Sequence, residues 1–247
     1  MVREVLAFGD SLTWGVDAEN ETRHAYEDRW TSVLQKGLGH GVRVIPEGLN
    51  GRTTVDPGTG RHPFADRWTS ILESMDGDMR VIAEGLPGRT TCFDDHDGPA
   101  DRNGARILPV LLASHSPLDT VIIMLGTNDL KPHLCGKAEG AAKGIERLVE
   151  IVVTFPYGHG RPPPNLLLVS PPHFRKPATP DGVLSGGRSI AESRKLAGLY
   201  AAIAARWGCG FFDAATVAEA SLKDGIHLDA QNTRAVGAAI SSLLGTH

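Results

Sequence analysis

The strongest constraint on this chain is a rhythm: short, nearly unbroken apolar runs separated by longer stretches with helical periodicity. The runs are Val5-Leu6-Ala7-Phe8, Val121-Ile122-Ile123-Met124-Leu125, Leu166-Leu167-Leu168-Val169 and Gly210-Phe211-Phe212. A strand with one wet face alternates apolar and polar residues, so runs without that alternation predict strands buried on both faces, as in a parallel sheet. Helices are expected over Ala138 to Phe155, Ser193 to Trp207 and Asn232 to Leu244. In the second, Leu196, Leu199, Tyr200, Ile203 and Ala204 form a stripe of helical period. This alternation predicts an α/β fold with a doubly wound parallel sheet. Chemistry in such sheets gathers beyond the carboxyl ends of the strands. The 247 residues suit one domain spanning 1–247. Pro- and Gly-rich loops at 156–164 and 171–188 read as surface excursions, the second long enough to cover a site.

Charge narrows the partners. A net charge of −4, with no run of Lys or Arg, argues against nucleic acid and anionic membranes. The opening residues pass straight into a strand-like run without a leader-like apolar core, and nowhere does the sequence approach the ~18 apolar residues of a membrane span. The expectation is a soluble, cytoplasmic protein. Cys92, Cys135 and Cys209 cannot all pair internally and lack metal-ligand spacing, so they read as free thiols, with a disulfide pair as the lesser reading.

Residues 23–54 and 61–91 are two versions of one segment. Arg43-Val44-Ile45-Pro46-Glu47-Gly48-Leu49-Asn50-Gly51-Arg52-Thr53-Thr54 recurs as Arg80-Val81-Ile82-Ala83-Glu84-Gly85-Leu86-Pro87-Gly88-Arg89-Thr90-Thr91, exchanged only at Pro46/Ala83 and Asn50/Pro87. A solenoid needs at least three stacked repeats, so this is a single duplicated helix–strand–loop unit. The surplus copy could add a strand outside the sheet edge, bulge out, or swap with a neighbouring subunit.

Three segments carry chemistry. Phe8-Gly9-Asp10-Ser11-Leu12-Thr13-Trp14-Gly15 follows the first strand, where a tight turn would present the Ser11 hydroxyl at the sheet's carboxyl edge. The plainer reading is that Asp10 or Ser11 caps a helix. Leu125-Gly126-Thr127-Asn128-Asp129 follows the most apolar strand; the Asn128 amide could donate to an oxyanion, and the plainer reading is a turn. In Lys223-Asp224-Gly225-Ile226-His227, a carboxylate three residues before a histidine can fold back onto its Nδ1, leaving Nε2 free to take a serine proton. Together they supply nucleophile, base, orienting acid and oxyanion donor. Ser11 lacks a Gly-x-Ser-x-Gly elbow, which argues against an α/β-hydrolase. A binding module whose Ser, Asn and His merely contact an anion stays open.

With Gly9-Asp10-Ser11-Leu12, Gly126-Thr127-Asn128-Asp129 and Asp224-Gly225-Ile226-His227 in this order, the chain resembles the SGNH, or GDSL-type, hydrolases. It looks closest to their bacterial arylesterase and acyltransferase branch, through Ile123-Met124-Leu125 and Val169-Ser170-Pro171-Pro172 as well. The resemblance implies a flavodoxin-like three-layer α/β/α fold and a serine esterase cleaving short-chain aryl or alkyl esters, with acyl transfer to alcohols as an added capacity. Carbohydrate acetylesterase, or an impaired or non-catalytic member, is the alternative. It also implies Ser11 as nucleophile with Asp224 and His227, and an oxyanion hole of Ser11, Asn128 and a glycine of the second block. Trp14 would line the acyl pocket, with plain packing as the other reading. A small-molecule ester is the implied partner, with no cofactor, no metal and a homo-oligomeric assembly. The second block is present twice, ending at Gly51 and Gly88. Gly88 is preferred, because Cys92 to Gly104 resembles the family's continuation whereas Val55 to Gly60 resembles a linker.

Overall fold

A computed structural model describes residues 3–19, 22–37, 42–46 and 79–245. Eight strands are described: β1 (Arg3–Gly9), β2 (Val16–Asp17), β3 (Thr22–Arg23), β4 (Val42–Pro46), β5 (Met79–Gly85), β6 (Thr120–Met124), β7 (Asn165–Ser170) and β8 (Gly210–Asp213). Six of them form one parallel sheet in the order β4-β5-β1-β6-β7-β8, and β2 and β3 form a small antiparallel hairpin. Apart from β4 this is a doubly wound, flavodoxin-like order, whose switch point lies between β1 and β6.

Three of the predicted runs lie in the sheet with both faces covered, while Gly210-Phe211-Phe212 forms the edge strand β8 and is only partly buried. Side chains alternate across a strand, so Leu6, Phe8, Val121, Ile123 and Leu168 face one layer and Val5, Ala7, Ile122, Leu167 and Val169 the other. The first layer is helices Gly104–His115, Ala138–Thr154 and Leu196–Trp207, packed through Leu108, Leu112, Ile145, Leu148, Tyr200 and Ile203. The second pairs helices Trp30–Gly37 and Ala230–Gly245 through Trp30, Leu34, Val236 and Ile240. Eight residues are too few for a helix to persist alone in water, so the segment from Trp30 depends on that packing. Burying side chains the size of Trp30 and Leu34 contributes roughly 1.5–3 kcal/mol each.

Both copies of the duplicated segment contribute a strand. The first supplies β4, the outermost, and the second supplies β5, beside β1. They pair in repeat register, with Arg43 opposite Arg80, Val44 opposite Val81 and Ile45 opposite Ile82. Pro46, which has no N–H to give a central ladder, sits at the edge. Gly51 and the linker-like Val55 to Gly60 lie outside the described residues.

Two expectations change. The helix predicted from Ser193 to Trp207 begins instead at Leu196, after a separate helical turn at Ile190–Ser193. The 171–188 loop is more than a surface excursion: Phe174 and Leu184 are buried in the core with Ile226. The 156–164 loop is largely exposed, as expected. Cys92, Cys135 and Cys209 are all free. No helix among the described residues is long and apolar enough to cross a membrane.

Candidate active site

The switch point places two of the three chemical segments. β1 ends at Gly9 and the chain turns into a one-turn helix, Ser11–Trp14. Asp10 caps it, its Oδ1 accepting from the Leu12 N–H at 3.0 Å. The capping reading of this segment is therefore right for Asp10, while the Ser11 hydroxyl points elsewhere. Its Oγ lies 3.0 Å from His227 Nε2, and His227 Nδ1 lies 2.5 Å from Asp224 Oδ2. One unbroken hydrogen-bonded chain thus joins Ser11, His227 and Asp224.

The loop carrying Asp224 and His227 is built to hold that line. Asp224 Oδ1 accepts from the N–H groups of Ile226 and His227, both at 2.9 Å, so the carboxylate is oriented before it meets the imidazole. Gly225 is left-handed, with φ of 74°, and a Cβ there would come within 2.1 Å of Arg175 O, so only glycine fits. Burial alone would raise the Asp224 pKa, but the His227 hydrogen bond and charge, with those backbone donors, outweigh it and hold the group at about 2. The β2–β3 hairpin braces the loop from outside. His24 donates from Nε2 to Leu228 O at 3.0 Å, Ser221 Oγ donates to Glu19 Oε1 at 3.1 Å, and Lys223 Nζ donates to Glu19 O.

Across from Ser11, the loop after β5 and the loop after β6 are tied together. Thr91 donates its N–H to both oxygens of Asp129, at 3.1 and 3.2 Å, and its hydroxyl to Oδ1. Buried Arg89 donates to the carbonyls of Gly9 and Glu84 and stacks 4.3 Å over the Phe8 ring. Asn128 donates from Nδ2 to Arg89 O at 3.1 Å and, more weakly, to Asp10 Oδ2 at 3.4 Å. Gly88 stands at the head of this loop with φ of 84°. Among the described residues, neither its N–H nor that of Ser11 has an acceptor. Of the two second-block glycines, Gly88 is thus the one described beside Asn128.

Burial pushes the carboxyls of Asp10 and Asp129 up to about 6, against the hydrogen bonds that favour their charged forms. Trp14 is half-buried, with the Arg23 guanidinium 4.8 Å from its ring centre and Arg23 Nε donating to its carbonyl. Asp95, Asp97 and His133 could bring three ligand atoms together, but Asp95 is already neutralised by Lys131 at 2.6 Å and Arg102 at 3.3 Å. Its carboxylate serves an ion-pair network rather than an open cation site.

The turn after β6 depends on a glycine. Gly126 has φ of 116°, and a Cβ would meet Tyr200 Oη at 2.2 Å, where that hydroxyl donates to Leu125 O. Gly126→Ala combines backbone strain with overpacking and is expected to lower the unfolding free energy by about 2–4 kcal/mol in urea titration. A change below ~0.5 kcal/mol, the range of ordinary surface substitutions, would refute that account of the turn.

The GDSL-like Lipase/Acylhydrolase family matches residues 55–234. The chain belongs to it. Ser11 precedes the matched span, and structural relatives of this GDSL-family protein match nearly the whole chain. A carbohydrate acetylesterase family member from Sinorhizobium meliloti is 42% identical, covers 99% of this chain and 98% of its own, and has a TM-score of 0.79. A protein of Agrobacterium tumefaciens str. C58, assigned as an arylesterase, is 45% identical over 98% of each chain, with a TM-score of 0.80. The M. smegmatis aryl esterase is 35% identical over 99% of each, with a TM-score of 0.77. No curated protein sequence matches the chain. The family and these relatives support an ester hydrolase, an acylhydrolase in the broad sense.

Several residues of the site escaped the sequence reading. Asp129 was visible in its motif without a role, and Arg89 and Thr91 were visible only as repeat positions. Arg188 lay in a loop with no periodic signal. Its Nε donates to Thr127 O at 3.0 Å and its Nη2 to Asn128 Oδ1 at 2.9 Å.

Proposed function

We propose that this protein is a serine esterase acting on short-chain acyl esters through an acyl-Ser11 intermediate. The observation that carries the reading is the continuous Ser11–His227–Asp224 hydrogen-bonded chain at the carboxyl end of β1. A serine that only bound an anion would need no imidazole behind it, nor a carboxylate kept charged behind the imidazole.

In this reading His227 Nε2 takes the Ser11 proton as Oγ attacks the ester carbonyl. Asp224 holds the imidazole with Nδ1 as donor and stabilises the imidazolium that forms. The oxyanion falls to the N–H groups of Ser11 and Gly88 and the Asn128 Nδ2, whose long contact to Asp10 is the one that yields. His227 then gives its proton to the leaving alcohol, and water, or a second alcohol in acyl transfer, repeats the sequence in reverse on the acyl-enzyme. Trp14 would bound the acyl side of the site.

Relatives described as aryl esterase and as carbohydrate acetylesterase make the alcohol the open variable. Turnover of aryl acetates against acetylated sugars, with and without added alcohols, sorts the two and measures transfer. The reading itself is tested by a fluorophosphonate, which reacts only with an activated serine. One equivalent on the Ser11 peptide, with loss of aryl acetate turnover in proportion, is expected. Unlabelled Ser11 under conditions that inactivate the enzyme would overturn it.

A further inference from the structure

Resting on that reading of Asn128, we propose that Arg188 is a positioning residue that sets and polarises the Asn128 amide for the oxyanion. Its three described hydrogen bonds are to Thr127 O, Asn128 Oδ1 and Ser185 O, the last at 2.6 Å. A planar guanidinium forked onto one backbone carbonyl and one amide oxygen fixes both in a single geometry, which a lysine cannot do. Three of its five N–H donors are committed in this way, two of them on the Thr127–Asn128 turn, so the described geometry makes Arg188 a brace for that turn.

The brace matters because an asparagine amide can be turned over with little change of shape. Turned over, Asn128 would set its NH2 against the guanidinium, donor facing donor, and its oxygen against Arg89 O and Asp10 Oδ2, acceptor facing acceptors. As held, Oδ1 faces Arg188 and Nδ2 faces the Ser11 side. A cationic donor on Oδ1 also draws charge through the conjugated amide and strengthens its N–H as a donor. The gain appears only when a negative oxygen forms, in the transition state, and so belongs in kcat and not in KM. Arg175 N–H donates to Gly225 O and Ala178 N–H to Leu222 O, so one loop holds the histidine side of the site near its start and the oxyanion side at its end.

The test is a double-mutant cycle on a short aryl acetate, with Arg188→Gln, Asn128→Ala and the pair, each checked by thermal melting. Asn128→Ala is expected to lower kcat by ~10²–10³-fold. Arg188→Gln should lower kcat by roughly 10–100-fold with KM within about threefold, and add nothing in the Asn128→Ala background. Arg188→Lys keeps the charge but not the fork. It should melt like the wild type and still lose about tenfold in kcat, so the result stands even if the glutamine variant folds poorly. Losses that multiply in the double variant, or a wild-type kcat in both Arg188 variants, overturn the role of Arg188 while leaving the esterase reading intact. A wild-type kcat in Asn128→Ala overturns the oxyanion assignment itself, and this proposal with it.

Discussion

Ser11→Ala is expected to lower kcat for a short-chain aryl acetate by roughly 10⁵–10⁶-fold while the protein melts as before. The asymmetry follows from what Ser11 touches. Among the described residues its hydroxyl makes one hydrogen bond, to His227 Nε2, so the folded state loses about 0.5–1.5 kcal/mol when it is removed. His227 is partly exposed and water can take the vacated position. The backbone of the one-turn helix, capped by Asp10 and not by Ser11, is untouched. Catalysis loses its nucleophile, and what remains is the residual ~10³–10⁴-fold over water that oxyanion donors and substrate binding supply alone. Hydrolysis within tenfold of wild type would mean that another group attacks the ester, and the proposed mechanism would fail at its first step.

What could be read from residues in order was the local chemistry; what could not was which distant groups complete it. The buried strands were legible because Val121 to Leu125 and Leu166 to Val169 have no polar face to hide, and both lie in the sheet with both faces covered. The helix from Ala138 was legible to within a residue of its end. Helix Gly104–His115 was not, because Pro109 interrupts its pattern; Asn103 caps it, accepting the Ala105 N–H. The short break before Leu196 left no mark in the pattern, since Arg194 and Lys195 stay near-helical there, and neither did the reach of Glu192 to accept the Ala138 N–H at the start of another helix, at 2.9 Å. Ser11, Asp224 and His227 announced themselves by spacing, since the carboxylate and histidine share one loop and the serine ends a strand. Arg188 could not, because it meets Asn128 across 60 residues and from a loop without period. The duplication was plain in sequence, yet sequence alone left open whether the surplus strand adds at the edge. The described strands place β4 there, in register with β5.

Asp129→Ala is expected to be among the most costly substitutions for stability, with a cost that depends on pH in a definite direction. Asp129 is wholly buried and is the acceptor for both the N–H and the hydroxyl of Thr91, itself fully buried. Removing it strands two buried donors, each costing about 1–3 kcal/mol, and unties the Gly88 loop from the Asn128 loop. Against this stands the burial of its charge. Burial raises its folded pKa from 3.8 to about 6, the Thr91 bonds only partly opposing it. An acid with a raised folded pKa takes up a proton on folding. Its contribution to stability is therefore full below its unfolded pKa and declines as pH rises through about 6, by on the order of 3 kcal/mol in total. The wild type loses that increment on going to neutral pH and the alanine variant does not. The gap between them should thus be about 2 kcal/mol larger at pH 4.5 than at pH 7.5, roughly 4–5 against roughly 2–3 kcal/mol. Urea unfolding of both proteins at the two pH values measures it. A gap that stays constant, or widens toward neutral pH, would show that Asp129 is held as a comfortable anion by Thr91. The tie between the two loops would then be an ion-stabilised contact, and the cost of its buried charge, the premise here, would be wrong.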